Sequence, residues 1–371
     1  MNDRSQRSRS WGLSAIALAA AAVSSLAVLA PAPASGDVAG GSPATMAPAV
    51  VVDTDMDFDD TAALAYLAEA DKLGLIDLRA VTVEVSGIAF AGNGLSHARC
   101  LLDRLGLPQI PVSDGDRTRT NNFPNFARAI LDGIVESGVR AAPGTPCPAL
   151  PTEGHAADLL ASAIRSAPRE VTLVTLGPLT NVAEVLNQDP AVASKIGRVF
   201  ILGGTLDWTT IPTSGLDTHD YNLWVDAPAA QTVLDTLSSR IFMTGHEATQ
   251  AVPLTEAFRQ TLGGDLTTPA AECVYTMASN PLLVGAEADN QGPNSQGVAY
   301  WWDPLDAVAA TLGGIVSYKP TRVRIIQSGE NEGRLIADEN GPLVHYGSSA
   351  RADAFDQAFL DILRARYPQR G

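Results

Sequence analysis

Five carboxylates fall within eight residues in the stretch Val51-Val-Asp53-Thr-Asp55-Met-Asp57-Phe-Asp59-Asp60, directly after a short apolar run and directly before the helical pattern Thr61-Ala-Ala-Leu-Ala-Tyr-Leu. Carboxylates crowded into a partly desolvated place repel one another, so their pKa values rise or the structure opens unless a positive group is supplied. The two-residue period of a strand sets Asp53 and Asp55 on one side, while Asp59 and Asp60 fall at a helix start. A hard divalent cation with oxygen ligands reconciles these charges, and calcium tolerates the mixed strand and helix geometry best.

Other uses of the same residues are weighed against this one. Asp at a helix N-terminus caps backbone N–H groups and complements the dipole, so Asp59 and Asp60 alone would carry little. The addition of Asp53 and Asp55 at a strand end is what points to a cation. An EF-hand loop would match Asp53, Asp55 and Asp57, but its sixth position needs Gly where Phe58 stands and its twelfth needs Glu where Leu64 stands. A haloacid-dehalogenase-type phosphatase also places Asp-x-Asp after a strand, followed two residues later by Thr or Val, where this chain has Asp57.

The elements that must hold these groups alternate. Ala49–Asp53, Leu78–Val85, Val171–Leu176, Val199–Leu202 and Arg240–Met243 are short β-rich runs, with helical periodicity between them at Thr61–Ala68, His97–Leu105 and Thr180–Leu186. The pattern predicts an α/β single domain with a mainly parallel central sheet flanked by helices on both faces, and ligands near the carboxyl ends of the strands. There is no internal repeat. Arg117–Asn125 and Ala141–Pro151 read as loops that border a site.

Composition bounds the rest. At 371 residues, with 46% hydrophobic and 18% charged, the chain has the length and apolar content of one large domain or two smaller ones. Arg4, Arg7 and Arg9 precede an apolar run from Trp11 to Ala30, followed by Ala32-Pro-Ala34. This reads as a cleaved secretory signal over residues 1–34, then a flexible leader over 35–47 and a catalytic domain over 48–371. A membrane anchor is the competing reading, since the run approaches spanning length, but the small-residue end favours cleavage. No later stretch has the length and apolarity to cross a bilayer, so the expectation is an exported protein, periplasmic or secreted, with no stable membrane span after cleavage. A net charge of −16 argues against a nucleic acid polymer as partner and for a small neutral ligand. Cys100, Cys147 and Cys273 are too few for a disulfide scaffold and lack metal-ligand spacing. They permit one bridge in an oxidising compartment, its pairing left open, with the third thiol a buried apolar filler.

Asp-x-Asp-x-x-x-Asp-Asp after a first strand resembles the signature of the inosine-uridine-preferring nucleoside hydrolase family. Leu176-Gly-Pro-Leu-Thr-Asn181, Ile201-Leu-Gly-Gly204, Tyr221-Asn222-Leu-Trp-Val-Asp226 and Trp302-Asp303-Pro304 resemble its further motifs, in order. The resemblance covers most of the chain from about Pro48 onward. It implies the nucleoside hydrolase fold and calcium-dependent hydrolysis of the N-glycosidic bond of ribonucleosides, and it brings the expectation of a homo-oligomer. Asp55, Asp60 and Asp303 would supply calcium-binding carboxylates and Leu176 a backbone carbonyl. Asp303 also reads as an N-cap ahead of Pro304. Asp55 would orient and deprotonate the attacking water. Asp59 and Asn222 resemble the groups that bind ribose hydroxyls, Asp220 stands where a Glu reaching the 5′-hydroxyl is typical, and Asp53 is a supporting residue.

Several positions depart from the best-known branch. That branch carries His immediately before the last metal Asp, suited to protonating the departing base; here the residue is Trp302, which resembles the purine-specific branch. Asn122-Phe-Pro-Asn-Phe126 resembles a loop of that branch with a second stacking aromatic, for which Phe126 is the nearest candidate, although the matching column also admits Ala127. Ile88 replaces a usual polar residue after Val-Ser-Gly87, with Asn93 further along, and Asp220 has a shorter arm than Glu. His219 and His246 are left out of the chemistry. The sequence therefore predicts a purine-leaning ribonucleoside hydrolase, with a catalytically silent nucleoside- or sugar-binding protein on the same scaffold as the alternative.

Overall fold

A computed structural model of the chain describes residues 47–115, 121–140, 142, 144–151, 154–211, 218–288 and 299–367. The signal expected over 1–34 and most of the leader lie outside the described residues, as do parts of both expected border loops. All the described residues belong to one unit, Met46–Gly371.

Among the described residues, nine strands form one sheet: β1 Ala49–Thr54, β2 Asp77–Val83, β3 Val112–Asp114, β4 Val171–Thr175, β5 Ile196–Leu202, β6 Ile241–Thr244, β7 Val316–Ile325, β8 Leu335–Ala337 and β9 Leu343–Ala350. Their order is β3-β2-β1-β4-β5-β6-β9-β7-β8. From β3 across to β9 every neighbouring pair is parallel, while β7 runs antiparallel to both β9 and β8. The five expected strands are present, shifted by a few residues at their ends. Short β3 and the antiparallel edge of β7 to β9 are additions: β3 is buried but only three residues long, and β7 mixes exposed Lys and Arg with its apolar residues, so neither shows the apolar run that marks a central strand.

The parallel strands read as continuous apolar runs because both faces are covered. Val50 and Val52 enter one core cluster, with Val81, Val83, Val174 and Phe200. Val51 enters the other, with Ala80, Leu173, Val199 and Ile201. That alternation is the strand period written into two cores. The helix Phe58–Lys72 is buried along nearly its whole circumference. Five alanines, Ala62, Ala63, Ala65, Ala68 and Ala70, allow close approach by its neighbours, including the helix Trp302–Thr311. Leu64 and Leu67 are fully buried on it, each contributing about 1.5–3 kcal/mol.

Strand order reverses at β1, whose neighbours β2 and β4 lie on opposite sides. Such a switch point opens a crevice at the carboxyl ends of the strands. The carboxyl end of β1 is the acidic run. Close packing of the Phe58–Lys72 and Trp302–Thr311 helices brings the acids at their amino ends together across more than two hundred residues of sequence. Elsewhere Cys100 and Cys147 form a disulfide, and Cys273 is a buried free thiol.

Candidate active site

Local chain geometry sets the acids at the end of β1. Met56, between Asp55 and Asp57, has φ +55°, a left-handed conformation unusual for a side chain of its size. A backbone held there costs about 1–3 kcal/mol and concentrates at functional sites. The turn leads to Asp57, the N-cap of the Phe58–Lys72 helix, and Asp60 completes a capping box. Asp60 also accepts from the Asp55 amide at 3.0 Å, the Asp57 amide at 3.2 Å and the Thr54 hydroxyl. Capping and clustering therefore coexist in Asp60.

Asp59, Asp60 and Asp303 are all buried, and one carboxylate oxygen from each lies within 4.8 Å of the others. Asp303 is not the cap expected ahead of Pro304: the helix begins two residues earlier, at Trp302, with Trp301 in the cap position, so Asp303 lies inside the first turn. Its Oδ1 is buried and has no hydrogen-bond partner among the described residues. Burial, and then the neighbouring carboxylates, push the pKa values of Asp55, Asp59 and Asp303 well above the usual carboxylate range. These donors fit a hard divalent cation, because an orphaned carboxylate oxygen and mutually repelling acids are the deficits such an ion cancels.

Asp55 sits against the group. Asp60 is its strongest charged neighbour, and its Oδ2 accepts the Ile88 amide at 2.8 Å. Two glycines make that position available. A Cβ on Gly87 would fall 1.9 Å from Asp55 Oδ2, and one on Gly177 would fall 2.8 Å from Asp55 Cβ. Only residues without a side chain admit Asp55 here, which gives Val-Ser-Gly87 and Leu176-Gly-Pro a common steric cause. Asp53 lies one step back, accepting Thr82 Oγ1 at 2.6 Å and Asn181 Nδ2 at 2.9 Å. Burial lifts its pKa to about 7.

The remaining expected residues fall into two sets. Asn222 donates Nδ2 to the carbonyls of Leu176 at 2.7 Å and Leu202 at 3.2 Å, tying the ends of β4 and β5 together. The Leu176 carbonyl, expected to face a cation, therefore already accepts one hydrogen bond and has a second lone pair. Asp220 is buried and committed to the backbone, accepting the Leu223 amide at 3.0 Å and the Gly204 amide. His246 Nε2 lies 3.2 Å from it. Asp220 therefore acts as a local cap, its short arm keeping it on the main chain. His219 stacks on Trp224 with ring centroids 4.1 Å apart.

Trp302 is half-buried and meets Phe58 and Tyr300 edge-on at 6.2 and 5.5 Å, forming an aromatic wall beside Asp303. Phe126 is 64% exposed. The ring of that loop that packs inward is Phe123, 4.6 Å from Tyr221 and clustered with Ile88 and Ala127. The Ile88 side chain belongs to this cluster, and only its amide reaches Asp55.

Sequence reasoning missed two residues. Glu84 is buried at the end of β2 and accepts the Ser86 amide and hydroxyl and the Gly87 amide, with burial lifting its pKa to about 7. An acid directly after an apolar strand beside the acidic β1 was its available signal. Arg128 is buried beneath the same turn, and nothing local announces it.

With this geometry in place, comparison with known proteins decides the lineage. Residues 50–359 match the family described as inosine-uridine preferring nucleoside hydrolase. The chain belongs to this family. Among relatives, it is 30% identical over 240 residues to the pyrimidine-specific ribonucleoside hydrolase RihA of Citrobacter koseri, covering 61% of this chain and 70% of that one. It is 28% identical over 207 residues to a probable uridine nucleosidase 2 of Oryza sativa subsp. japonica, covering 56% of this chain and 59% of the rice protein. The fold matches the plant nucleoside hydrolase PpNRh1 with TM-score 0.72 and 24% identity, over 86% of this chain and 99% of that one. It also matches a purine-preferring ribonucleoside hydrolase from Gardnerella vaginalis with TM-score 0.69 and 20% identity, over 86% and 98%. The expected family and α/β fold are therefore shown. Its relatives include both pyrimidine-specific and purine-preferring proteins, so membership alone selects no base.

Proposed function

We propose that the protein hydrolyses the N-glycosidic bond of ribonucleosides in a calcium-dependent reaction, giving ribose and free base. The observation that carries this reading is the buried group of Asp59, Asp60 and Asp303 with one orphaned oxygen, set against Asp55 at the switch point of a family fold. Asp60 and Asp303, with Asp59 alongside, would hold the ion, and Asp55 and the Leu176 carbonyl would complete its oxygen shell. When bound, calcium supplies positive charge that favours deprotonation of a water at the site.

The chain's own groups do the rest. Asp55, held through Oδ2 by the Ile88 amide, takes the proton of the attacking water, and its desolvated setting favours proton acceptance. The water's hydroxyl adds to the anomeric carbon as the bond to the base nitrogen breaks; the base takes a proton from bulk water, and Asp55 afterwards returns the proton it accepted to solvent, so that one water is consumed. Asp59 accepts from a ribose hydroxyl, as does Asn222 through Oδ1, its Nδ2 being committed to the backbone. Asp53, held by Thr82 and Asn181, is a supporting residue two positions before Asp55 at the end of β1. The half-buried Trp302 ring supports a purine lean, because stacking favours the larger base and its protonation. Exposed Phe126 offers a second, solvent-facing ring. The Cys100–Cys147 disulfide supports export to an oxidising compartment.

Base release from inosine, guanosine, adenosine and uridine tests the reading, with purified protein and its Asp55→Ala variant, each with and without chelator. Release by the native protein, lost on chelation and in the variant, is expected. No release under any condition despite measurable nucleoside binding would replace it with the silent-binder reading, for which the backbone-committed Asp220 is the motivating observation.

A further inference from the structure

Arg128, on the helix Asn125–Val139, has no part in the motifs above, yet its guanidinium is buried beneath the turn that touches Asp55. Nε donates to the Ile88 carbonyl at 2.9 Å, and Nη2 donates to the carbonyls of Val85, at 3.2 Å, and Ala89. The Phe90 ring centroid lies 4.4 Å from its Cζ. One planar fork thus gathers three carbonyls of a single turn, a geometry Lys cannot reproduce.

The same turn returns two donors to the acidic run. Ile88 N–H reaches Asp55 Oδ2 at 2.8 Å, and Ala89 N–H reaches the Asp55 carbonyl at 2.8 Å. Because even a Cβ on Gly87 would fall 1.9 Å from that carboxylate, the turn has no room to move towards Asp55 without displacing it. We propose that Arg128 is a positioning residue for the hydrolysis, fixing the carbonyls of Val85, Ile88 and Ala89 so that the Ile88 amide holds Asp55 beside Asp60. This rests on the function proposed above. The contact at position 88 is made by the backbone, held by Arg128, while the Ile88 side chain packs with Phe123 and Ala127.

Clamping by arginine also occurs where no chemistry is near, which supplies a control. Arg240 donates to the carbonyls of Ala193 and Ile196 at the start of β5. Native protein, Arg128→Lys, Arg128→Ala and Arg240→Ala are compared for kcat and KM of base release, for thermal stability, and for amide hydrogen exchange over residues 85–90. Displacing a reacting group by about 1 Å costs up to about 100-fold in rate. Arg128→Lys should therefore lower kcat by about 10- to 100-fold with KM little changed, and exchange at Ile88 and Ala89 should accelerate. Millimolar guanidinium should restore part of the kcat of Arg128→Ala. Arg240→Ala should lose stability while its kcat holds.

If both Arg128 variants merely lose stability in the manner of Arg240→Ala, or if exchange at Ile88 and Ala89 is unchanged in Arg128→Lys, the positioning role is overturned. Should Arg128→Ala fail to fold, Arg128→Lys carries the comparison by itself. Native protein that releases no base would defeat the proposed function, and the exchange result would then decide the clamp alone.

Discussion

Asp303 and Asp306 stand about one turn apart on the same helix, both buried, each with one carboxylate oxygen lacking a hydrogen-bond partner among the described residues. Asp303 shares its surroundings with Asp59, Asp60 and Asp55. Asp306 faces hydroxyls instead, accepting Thr244 Oγ1 at 2.6 Å, with Tyr318 O–H 2.9 Å from that same hydroxyl. Burial raises both pKa values, that of Asp306 to about 8. A lone buried carboxylate resolves its charge by keeping a proton. For a group of them at a crevice we propose a cation, which cancels two of the four charges and favours the ionised form of the carboxylates that bind it. Burial of an acid is therefore uninformative about function until its neighbours are counted.

The largest effect expected from this contrast is catalytic. Asp303→Asn and Asp55→Ala should each lower kcat/KM by about 10²- to 10⁴-fold, whereas Asp306→Asn should cost less than about 1 kcal/mol of transition-state stabilisation. Steady-state base release with saturating calcium checks the three together. Comparable losses in Asp303→Asn and Asp306→Asn would erase the distinction.

The next effect is on stability against pH. Asp306 in the folded protein holds its proton up to about pH 8, while in the unfolded chain it releases it near the ordinary carboxylate value of 3.8. The folded state therefore binds more protons between these values. The stabilisation is fully present below about pH 4 and declines by about 1.4 kcal/mol per pH unit as pH rises towards 8. Asp306→Asn should remove that decline, so denaturant unfolding across this window should show the variant gaining on the native protein as pH rises. Parallel curves would show that Asp306 is ionised in the fold.

A smaller effect separates the aromatics. Trp302→Ala should lower kcat/KM for inosine relative to uridine by about 0.5–1.5 kcal/mol, the worth of an aromatic stack. Phe126→Ala, at an exposed ring, should change that ratio by less than about 0.5 kcal/mol. A Phe126 effect equal to that of Trp302 would move the exposed ring into the base site.

Legibility in the sequence followed contact range. The Asp53–Asp60 run was legible because strand and helix periods act within a few residues, and the same periods gave the central strands and the Phe58–Lys72 helix. Asp303 was reached through a motif resemblance, since nothing in its local sequence links it to Asp60. The placing of Asp303 at the N-cap failed because the helix starts at Trp302, a boundary set by packing. Arg128 and the Asn222 bonds to Leu176 and Leu202 join segments far apart in the chain, and no local pattern encodes such pairings. The commitment of Asp220 to Gly204 was hidden for the same reason, while the antiparallel β7–β9 edge was hidden by its polar composition.

Calcium titration of chelator-stripped protein, followed by calorimetry and by thermal unfolding, tests the central claim most directly. One site is expected, with stabilisation of about 2.7 kcal/mol when free calcium reaches about one hundred times its dissociation constant. That response should be abolished by Asp303→Asn and preserved in Asp306→Asn. Calcium binding that survives Asp303→Asn undiminished, or native protein that neither binds the ion nor gains stability from it, would contradict the account.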